Sequence, residues 1–250
     1  MKEKDSIQIS FFVPCLNEEL NIINTLKNIE FVVEKLELKS DVIIVDDNSN
    51  DKTIEKVEQF LLNSKLRITL IKNNKTKGLG INYVDAAFVA KGEYYILING
   101  DNAEPKESII SILSLMGEAD IIIPYFEGND DRKTFRVLIS KLFTFIINVL
   151  SSNNIPYYNG PVLHKRYNVM RWSPDTHGYA YQAELITRIL CENATYKTVK
   201  IKNSNRNYGN SSAFTMKNFL SVNHSLLQIF LRRLRNFLFY STNFFFAFFF

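Results

Sequence analysis

Along the first half of the chain, short continuous apolar runs alternate with stretches whose apolar residues recur every three to four positions. IQISFFVP (7–14), DVIIVD (41–46), RITLIK (67–72), YYILIN (94–99) and ADIIIPYF (119–126) read as strands. Residues 17–36, 51–62 and 81–90 read as helices, as does the run opened by Pro105. Asn50 or Asp51 stands where the second helix needs a cap. Strands alternating with helices predict an α/β fold: a Rossmann-like, mostly parallel sheet with right-handed crossovers and helices on both faces. Past residue 126 the pattern changes. A polar loop, EGNDDRK, precedes a strongly apolar helix over 134–152, then a loop and short strand over 154–163. A helix over 179–193 and an alternating strand over 196–202 follow. Next comes the polar, glycine-containing loop NSNRNYGNSS, then a helix from about Ala213 to Arg235. The pattern predicts one domain over 1–212 and a C-terminal helix and tail over 213–250.

In an open parallel sheet, ligands meet the carboxyl ends of the strands. Those ends here read Pro14-Cys15-Leu16-Asn17-Glu18, Asp46-Asp47-Asn48, Lys72-Asn73-Asn74 and Asn99-Gly100-Asp101-Asn102. Three of the four carry acids, and tips that converge on one crevice make a candidate site. Asp101 lies between carboxamides, giving hard oxygen ligands suited to Mg²⁺ or Mn²⁺. Asn-Gly-Asp is also ordinary turn chemistry, with the glycine free to take unusual backbone angles. Asp46 and Asp47 are adjacent strand residues and point to opposite faces. One can face the crevice and accept hydrogen bonds from a base or ribose, while the other caps a helix or orients a loop. KTKGLGINY (75–83) is a basic loop entering a helix, able to turn Lys75, Lys77 and backbone N–H groups near Gly78 toward phosphate. It is neither a P-loop nor a dinucleotide fingerprint. Arg206 stands in a loop suited to close on a diphosphate, or is a solvated surface arginine. Glu184 is a general base for a hydroxyl acceptor or a helix-surface acid. His164, His177 and His224 show no ligand spacing.

Charge sharpens the picture of the C-terminus. The formal net charge of +4 divides into +8 over residues 193–250, which contain no Asp or Glu, and therefore −4 over the first 192. A mildly acidic body thus bears a basic, apolar end. The closing NFLFYSTNFFFAFFF is 15 residues long, uncharged and rich in phenylalanine. It falls short of the roughly 20 residues a spanning helix needs. With Arg232, Arg233 and Arg235 before it, it suits an interfacial anchor at an anionic membrane, or the start of a span. Two cysteines in no metal-type spacing and a charged N-terminus without an apolar run fit a reducing, cytosolic setting. A nucleic-acid binder is disfavoured by the acidic body. A dehydrogenase is disfavoured because strand one leads into PCLNEE rather than a glycine-rich turn.

Taken together, ISFFVPCLNEELNI, VIIVDDNSNDKT and KGLGINYVDAAFVAKGEYYILINGDNAEP resemble the nucleotide-binding half of family-2 glycosyltransferases with the GT-A fold. KGLG, NGPVLHKR, GYAYQAELITRIL and NRNYGNSS are most similar to the polyprenyl-phosphate (dolichol-phosphate) mannosyltransferase branch. The resemblance covers about residues 7–215. It implies that Pro14, Asn17 and Glu18 lie by the nucleotide base and ribose of a GDP- or UDP-sugar, with Asp46 or Asp47 binding one of them. It implies donor contacts from Lys77 and Gly78. Asp101 becomes the metal-binding aspartate, with Asn99 beside it and a divalent ion bridging the donor diphosphate. Arg206 and Ser212 fall in a loop closing on the phosphates, and Glu184 on the acceptor side.

Two positions depart from the family pattern. Asn99 stands where the first aspartate of the DxD motif is expected, which removes one negative charge. Tyr125 stands near the place of an arginine after strand five, and Arg132 or Arg136 is available to supply that charge on the acceptor side. The resemblance implies an inverting, metal-dependent transfer at the cytoplasmic face of a membrane. A lipid-phosphate acceptor is already anionic and needs no base. A hydroxyl of a lipid-linked or surface glycan is the alternative acceptor, and would need Glu184 or another acid as base. Asn99 also leaves open a non-catalytic, glycosyltransferase-like binding protein.

Overall fold

The computed structural model describes residues 6–126, 134–171, 178, 180–202 and 216–249. The strands are β1 (Ile9–Cys15), β2 (Ser40–Asp46), β3 (Ile68–Lys72), β4 (Tyr94–Leu97), β5 (Ile121–Phe126), β6 (Leu163–Lys165) and β7 (Tyr196–Ile201). The helices are α1 (Ile22–Lys35), α2 (Thr53–Leu61), α3 (Leu79–Val89), α4 (Lys106–Leu113), α5 (Thr134–Ser151), α6 (Arg166–Met170), α7 (Tyr181–Cys191) and α8 (Met216–Phe249). All seven strands form one sheet in the order β3-β2-β1-β4-β6-β5-β7. Pairing is parallel except at β6, which runs antiparallel to both β4 and β5.

The apolar runs of β1, β2 and β4 are continuous because both sheet faces are covered. Successive residues divide between two cores with the strand period of two. Ile9, Phe11, Val13, Val42, Ile44, Ile96 and Ile98 pack with Leu26 and Ile29 of α1, Val57 of α2 and Ile109 of α4. Phe12, Ile43, Val45, Tyr95 and Leu97 pack with Tyr83 and Ala87 of α3, Ile147 of α5, Leu185 of α7 and Ile229 of α8. The alternation of strands and helices therefore reads through to the architecture, and the expected mostly parallel sheet with helices on both faces is what forms.

Three elements differ from the sequence reading. The helix expected from residue 17 starts at Ile22, because 17–21 form the loop leaving β1. The short strand expected to end at residue 163 instead begins there, and its register with Tyr94–Ile96 leads straight into α6, a one-turn helix the periodicity does not reveal. The C-terminal helix does not stop near Arg235: its backbone is helical through Phe249. The side chains from residue 240 onward lie outside the described residues. Among the described residues no helix is long and apolar enough to cross a membrane.

Candidate functional site

The chain runs β1, β2, β3 outward in one direction, then returns to place β4 on the other side of β1. That reversal opens a crevice at the carboxyl ends of β1 and β4, with the end of β2 alongside. The loops leaving these strands are laced together. Asp47 N–H donates to the Cys15 carbonyl (2.9 Å), Asn73 N–H to the Asp46 carbonyl (2.9 Å) and Gly100 N–H to the Pro14 carbonyl (3.1 Å). Asn17 N–H donates to Ser49 Oγ (2.9 Å), Asn50 N–H to Asn17 Oδ1 (2.8 Å) and Glu18 N–H to Thr53 Oγ1 (2.8 Å). Asn17, Asn48 and Asn102, one after each of these three strands, take positive φ of 57°, 74° and 58°. Asparagine tolerates this left-handed region better than other side-chain-bearing residues. The tips at Pro14–Glu18, Asp46–Asp47 and Asn99–Asp101 are thus brought together.

Gly100 is there for proximity. A Cβ added to it would meet the Pro14 carbonyl oxygen at 2.8 Å and Cys15 Cβ at 3.2 Å. The unusual backbone angle expected at the glycine falls instead on Asn102. Helix α1 supports the same loop from below. Thr25 Oγ1 donates to the Asn99 and Gly100 carbonyls (3.2 Å each), and Asn28 Nδ2 donates to Asn102 Oδ1 (2.8 Å).

The adjacent aspartates divide their roles. Asp47 accepts from Lys77 N–H, Gly78 N–H and Asn73 Nδ2, each at 2.9 Å. Partial burial pushes its carboxyl up, but hydrogen bonds from Asn82, Lys77, Gly78 and Asn73 outweigh this and hold it below the usual range. It therefore orients the loop that enters α3. Asp46 is 1% exposed; its Oδ2 accepts from Ser49 N–H (3.1 Å), while Oδ1 has no hydrogen-bond partner among the described residues. A buried carboxylate oxygen without a partner is costly, and a ligand N–H or hydroxyl would relieve it.

The crevice is electronegative. Burial pushes the Cys15 thiol far up, and Asp46, Glu18, Asp51 and Asp47 push it further. Such a field favours a cation. Asp101 accepts from Ala103 N–H (3.2 Å), and Asn99 stands two residues before it. Glu104, a residue the sequence reading did not single out, is 7% exposed and accepts from Asn99 N–H (3.1 Å) and Asn99 Nδ2 (2.8 Å). Burial, then the neighbouring Asp101, push its carboxyl up to about 8. No cluster of three or more His, Cys, Asp or Glu able to hold a metal occurs among the described residues. Asp101 and Asn99 offer hard oxygen donors of the kind a divalent cation takes.

Other expected site residues stand differently. The Lys77 ammonium pairs with Asp85 Oδ2 (2.8 Å), and the N–H groups of Lys77 and Gly78, read as phosphate donors, are engaged by Asp47. Glu184 is not on a helix surface: it is 2% exposed on α7 and faces α8. There it meets Arg232 Nη2 at 3.6 Å and accepts from Ser225 Oγ at 3.4 Å. Arg132, Arg206 and Ser212 lie outside the described residues, as does the side chain of Arg136. Glu104 and the α1 pair Thr25 and Asn28 were missed because each looks local in sequence; only their partners, brought together by the fold, show their part.

The model of the family described as Glycosyl transferase family 2 matches residues 10–174. A dolichol-phosphate mannosyltransferase from Pyrococcus furiosus is 28% identical over 140 residues, covering 54% of this chain and 39% of that protein. A dolichyl-phosphate beta-glucosyltransferase from Dictyostelium discoideum is 29% identical over 107 residues, covering 40% of this chain and 32% of that protein. The match thus spans less than half the length of either relative. Among solved structures, glucosyl-3-phosphoglycerate synthase from Mycobacterium tuberculosis, in complex with Mn²⁺, UDP and glucosyl-3-phosphoglycerate, superposes with a TM-score of 0.64. That likeness covers 91% of this chain and 80% of the other at 15% identity, and is one of fold.

Proposed function

The chain belongs to glycosyl transferase family 2, and on that footing we propose that it transfers a sugar from a nucleoside-diphosphate donor to a polyprenyl phosphate at a membrane face, with a divalent cation at the donor. The observation that carries this reading is the juxtaposition, at one switch point, of the Asp46 oxygen that has no hydrogen-bond partner among the described residues with the Asn99–Asp101 oxygens on the far side of the β1 loop. The first is suited to a nucleoside N–H or hydroxyl. The second pair is suited to the cation.

Asp101 and Asn99 would hold the cation, which when bound supplies positive charge to the leaving nucleoside diphosphate. Asp46 and the Pro14–Glu18 loop bind and orient the nucleoside. Asp47 keeps the loop entering α3 in place through its bonds to Lys77 and Gly78. Arg206 and Ser212 are proposed to close over the phosphates, the guanidinium adding charge stabilisation as the diphosphate departs. Attack of the acceptor opposite the leaving group inverts the anomeric carbon.

The acceptor side favours a phosphate over a hydroxyl. Glu184, the acid available as a base, is buried and paired with Arg232 at 3.6 Å rather than open to an acceptor hydroxyl. A phosphate acceptor needs no proton removed. The dolichol- and undecaprenyl-phosphate transferases among the chain's relatives have the same kind of acceptor in their names.

The membrane face is supported by α5 and α8, which pack side by side. Leu138, Leu142, Phe145 and Val149 are exposed at helical spacing along α5; Leu227, Phe230, Leu231, Leu234 and Phe237 are exposed along α8. Arg233 donates to the Val149 and Leu150 carbonyls, bonding α8 across the end of α5. Apolar stripes edged by Lys141, Arg233 and Arg235 suit an anionic bilayer surface better than water. The test is transfer of radiolabelled sugar from GDP- and UDP-sugars, offered short polyprenyl phosphate and a glycan separately. Label in the polyprenyl phosphate is expected; label only in the glycan would overturn the acceptor assignment, and none in either would overturn the transfer.

A further inference from the structure

We propose that Glu104 is a positioning residue that turns the Asn99 carboxamide so that its oxygen, not its nitrogen, is presented to the cation; this rests on the cation reading above. A carboxamide has two chemically opposite ends. Presented oxygen-first it is a ligand for a hard cation, and presented nitrogen-first it repels one. An unconstrained Asn99 would sample both. Here Glu104 accepts from both N–H donors of that residue, Nδ2 at 2.8 Å and the backbone N–H at 3.1 Å. With Nδ2 committed to Glu104, Oδ1 is left as the free end. Glu104 is itself buried and immediately precedes Pro105, the first residue flanking α4, so helix and clamp are joined without slack.

The clamp also accounts for asparagine at this position. An aspartate at 99 would put a carboxyl oxygen where Nδ2 now sits, 2.8 Å from Glu104 Oε1, and the two carboxyls could close on each other only by sharing a proton. Asn99 and Glu104 are therefore a matched pair, and each single change should harm what the joint exchange repairs. Asn99→Asp leaves two carboxyls that must share a proton, with no fixed oxygen free for the cation. Glu104→Gln can satisfy the Asn99 side-chain donor or its backbone donor with its oxygen, but not both. In the double variant, the amide introduced at position 104 donates its N–H to the new carboxylate, and its oxygen accepts from the backbone N–H of residue 99.

The experiment is Mn²⁺ binding by the full chain, read as loss of the free-ion electron paramagnetic resonance signal, with Mn²⁺ alone and with UDP or GDP added. Folding of each variant is checked by thermal melting, and Glu104→Ala is included as a truncation. Asn99→Asp, Glu104→Gln and Glu104→Ala are each expected to weaken Mn²⁺ binding by about tenfold or more. Asn99→Asp/Glu104→Gln should return to within about threefold of the parent, a recovery that a merely structural role of Glu104 would not produce. Tighter binding by Asn99→Asp alone, or unchanged binding by Glu104→Ala, would overturn the clamp while leaving the transferase reading intact. A parent chain that takes up no Mn²⁺ in any arm would sink the cation reading and the clamp together.

Discussion

On the proposed function, the strand-tip crevice and the α5–α8 flank would be opposite solutions to the problem of meeting a ligand. At the crevice, polar atoms hold polar atoms: Thr25, Asn28, Asp47 and Glu104 all support neighbouring loops, and three asparagines accept left-handed backbone so that the turns close. The flank has little of this. Its exposed positions are leucine, valine and phenylalanine, Arg233 bonds backbone carbonyls, and Arg232 turns inward to pair with Glu184. Each end is built to exclude something else. A preformed set of oxygens would suit a small, charged, water-borne molecule and lower the ordering cost of binding it. An apolar stripe with basic edges would select no single molecule but suit a surface, with affinity growing with area and anionic charge.

The largest effect is expected at Asp101, where crevice and flank should come apart. Asp101→Asn should reduce sugar transfer by about 100-fold or more and abolish metal-dependent nucleotide binding, while vesicle binding stays unchanged. Co-sedimentation beside a transfer assay checks both halves; loss of vesicle binding would mean that the two regions are not separate. Next comes Gly100→Val. Its Cβ would press on the Pro14 carbonyl and Cys15, forcing the β4 loop away from β1. A destabilisation of about 1–3 kcal/mol is expected from overpacking, with a larger fractional loss in donor affinity than in melting temperature.

The flank should respond the other way. Leu142→Glu with Leu231→Glu should lower binding to anionic vesicles by about tenfold and leave donor binding alone. Stability should hold to within about 0.5 kcal/mol, because both side chains are already exposed. The smallest effect at neutral pH is at His164, in the sheet that carries both regions. Burial pulls its imidazole down to about 3, so the folded chain stays neutral there while the unfolded chain takes up a proton near 6.5. Its neutral form supports folding fully above about pH 6.5, and that support is lost as pH falls toward 3, with a slope approaching about 1.4 kcal/mol per pH unit. His164→Leu should flatten this part of the acid denaturation curve without altering either binding activity at pH 7.

Much of the first region is legible in the sequence. Continuous apolar runs ending in Asp46-Asp47 and Asn99-Gly100-Asp101 announce strands buried on both faces with polar ends, and the order of the elements places those ends along one edge. What pattern does not carry is pairing at a distance. Glu184 looks like a helix-surface acid until α8 packs against α7 and puts Arg232, 48 residues further on, beside it. Glu104 looks like the acid that opens a helix, and its grip on Asn99 depends on the turn between them. Lys77 looks like a phosphate ligand, yet Asp85 on α3 takes its charge. β6 is too short for period two to show, and its antiparallel placement is set by the neighbours it fits between.

That the oxygen-bearing strand tips form one donor site beside a cation is checked most directly by melting. The parent chain is melted with UDP, GDP and CDP sugars, each with and without Mn²⁺, and the series is repeated on Asp101→Asn. One donor should raise the melting temperature of the parent only when Mn²⁺ is present, and Asp101→Asn should remove the rise. A rise equal with and without Mn²⁺, or one that survives in Asp101→Asn, would refute the shared donor and cation site.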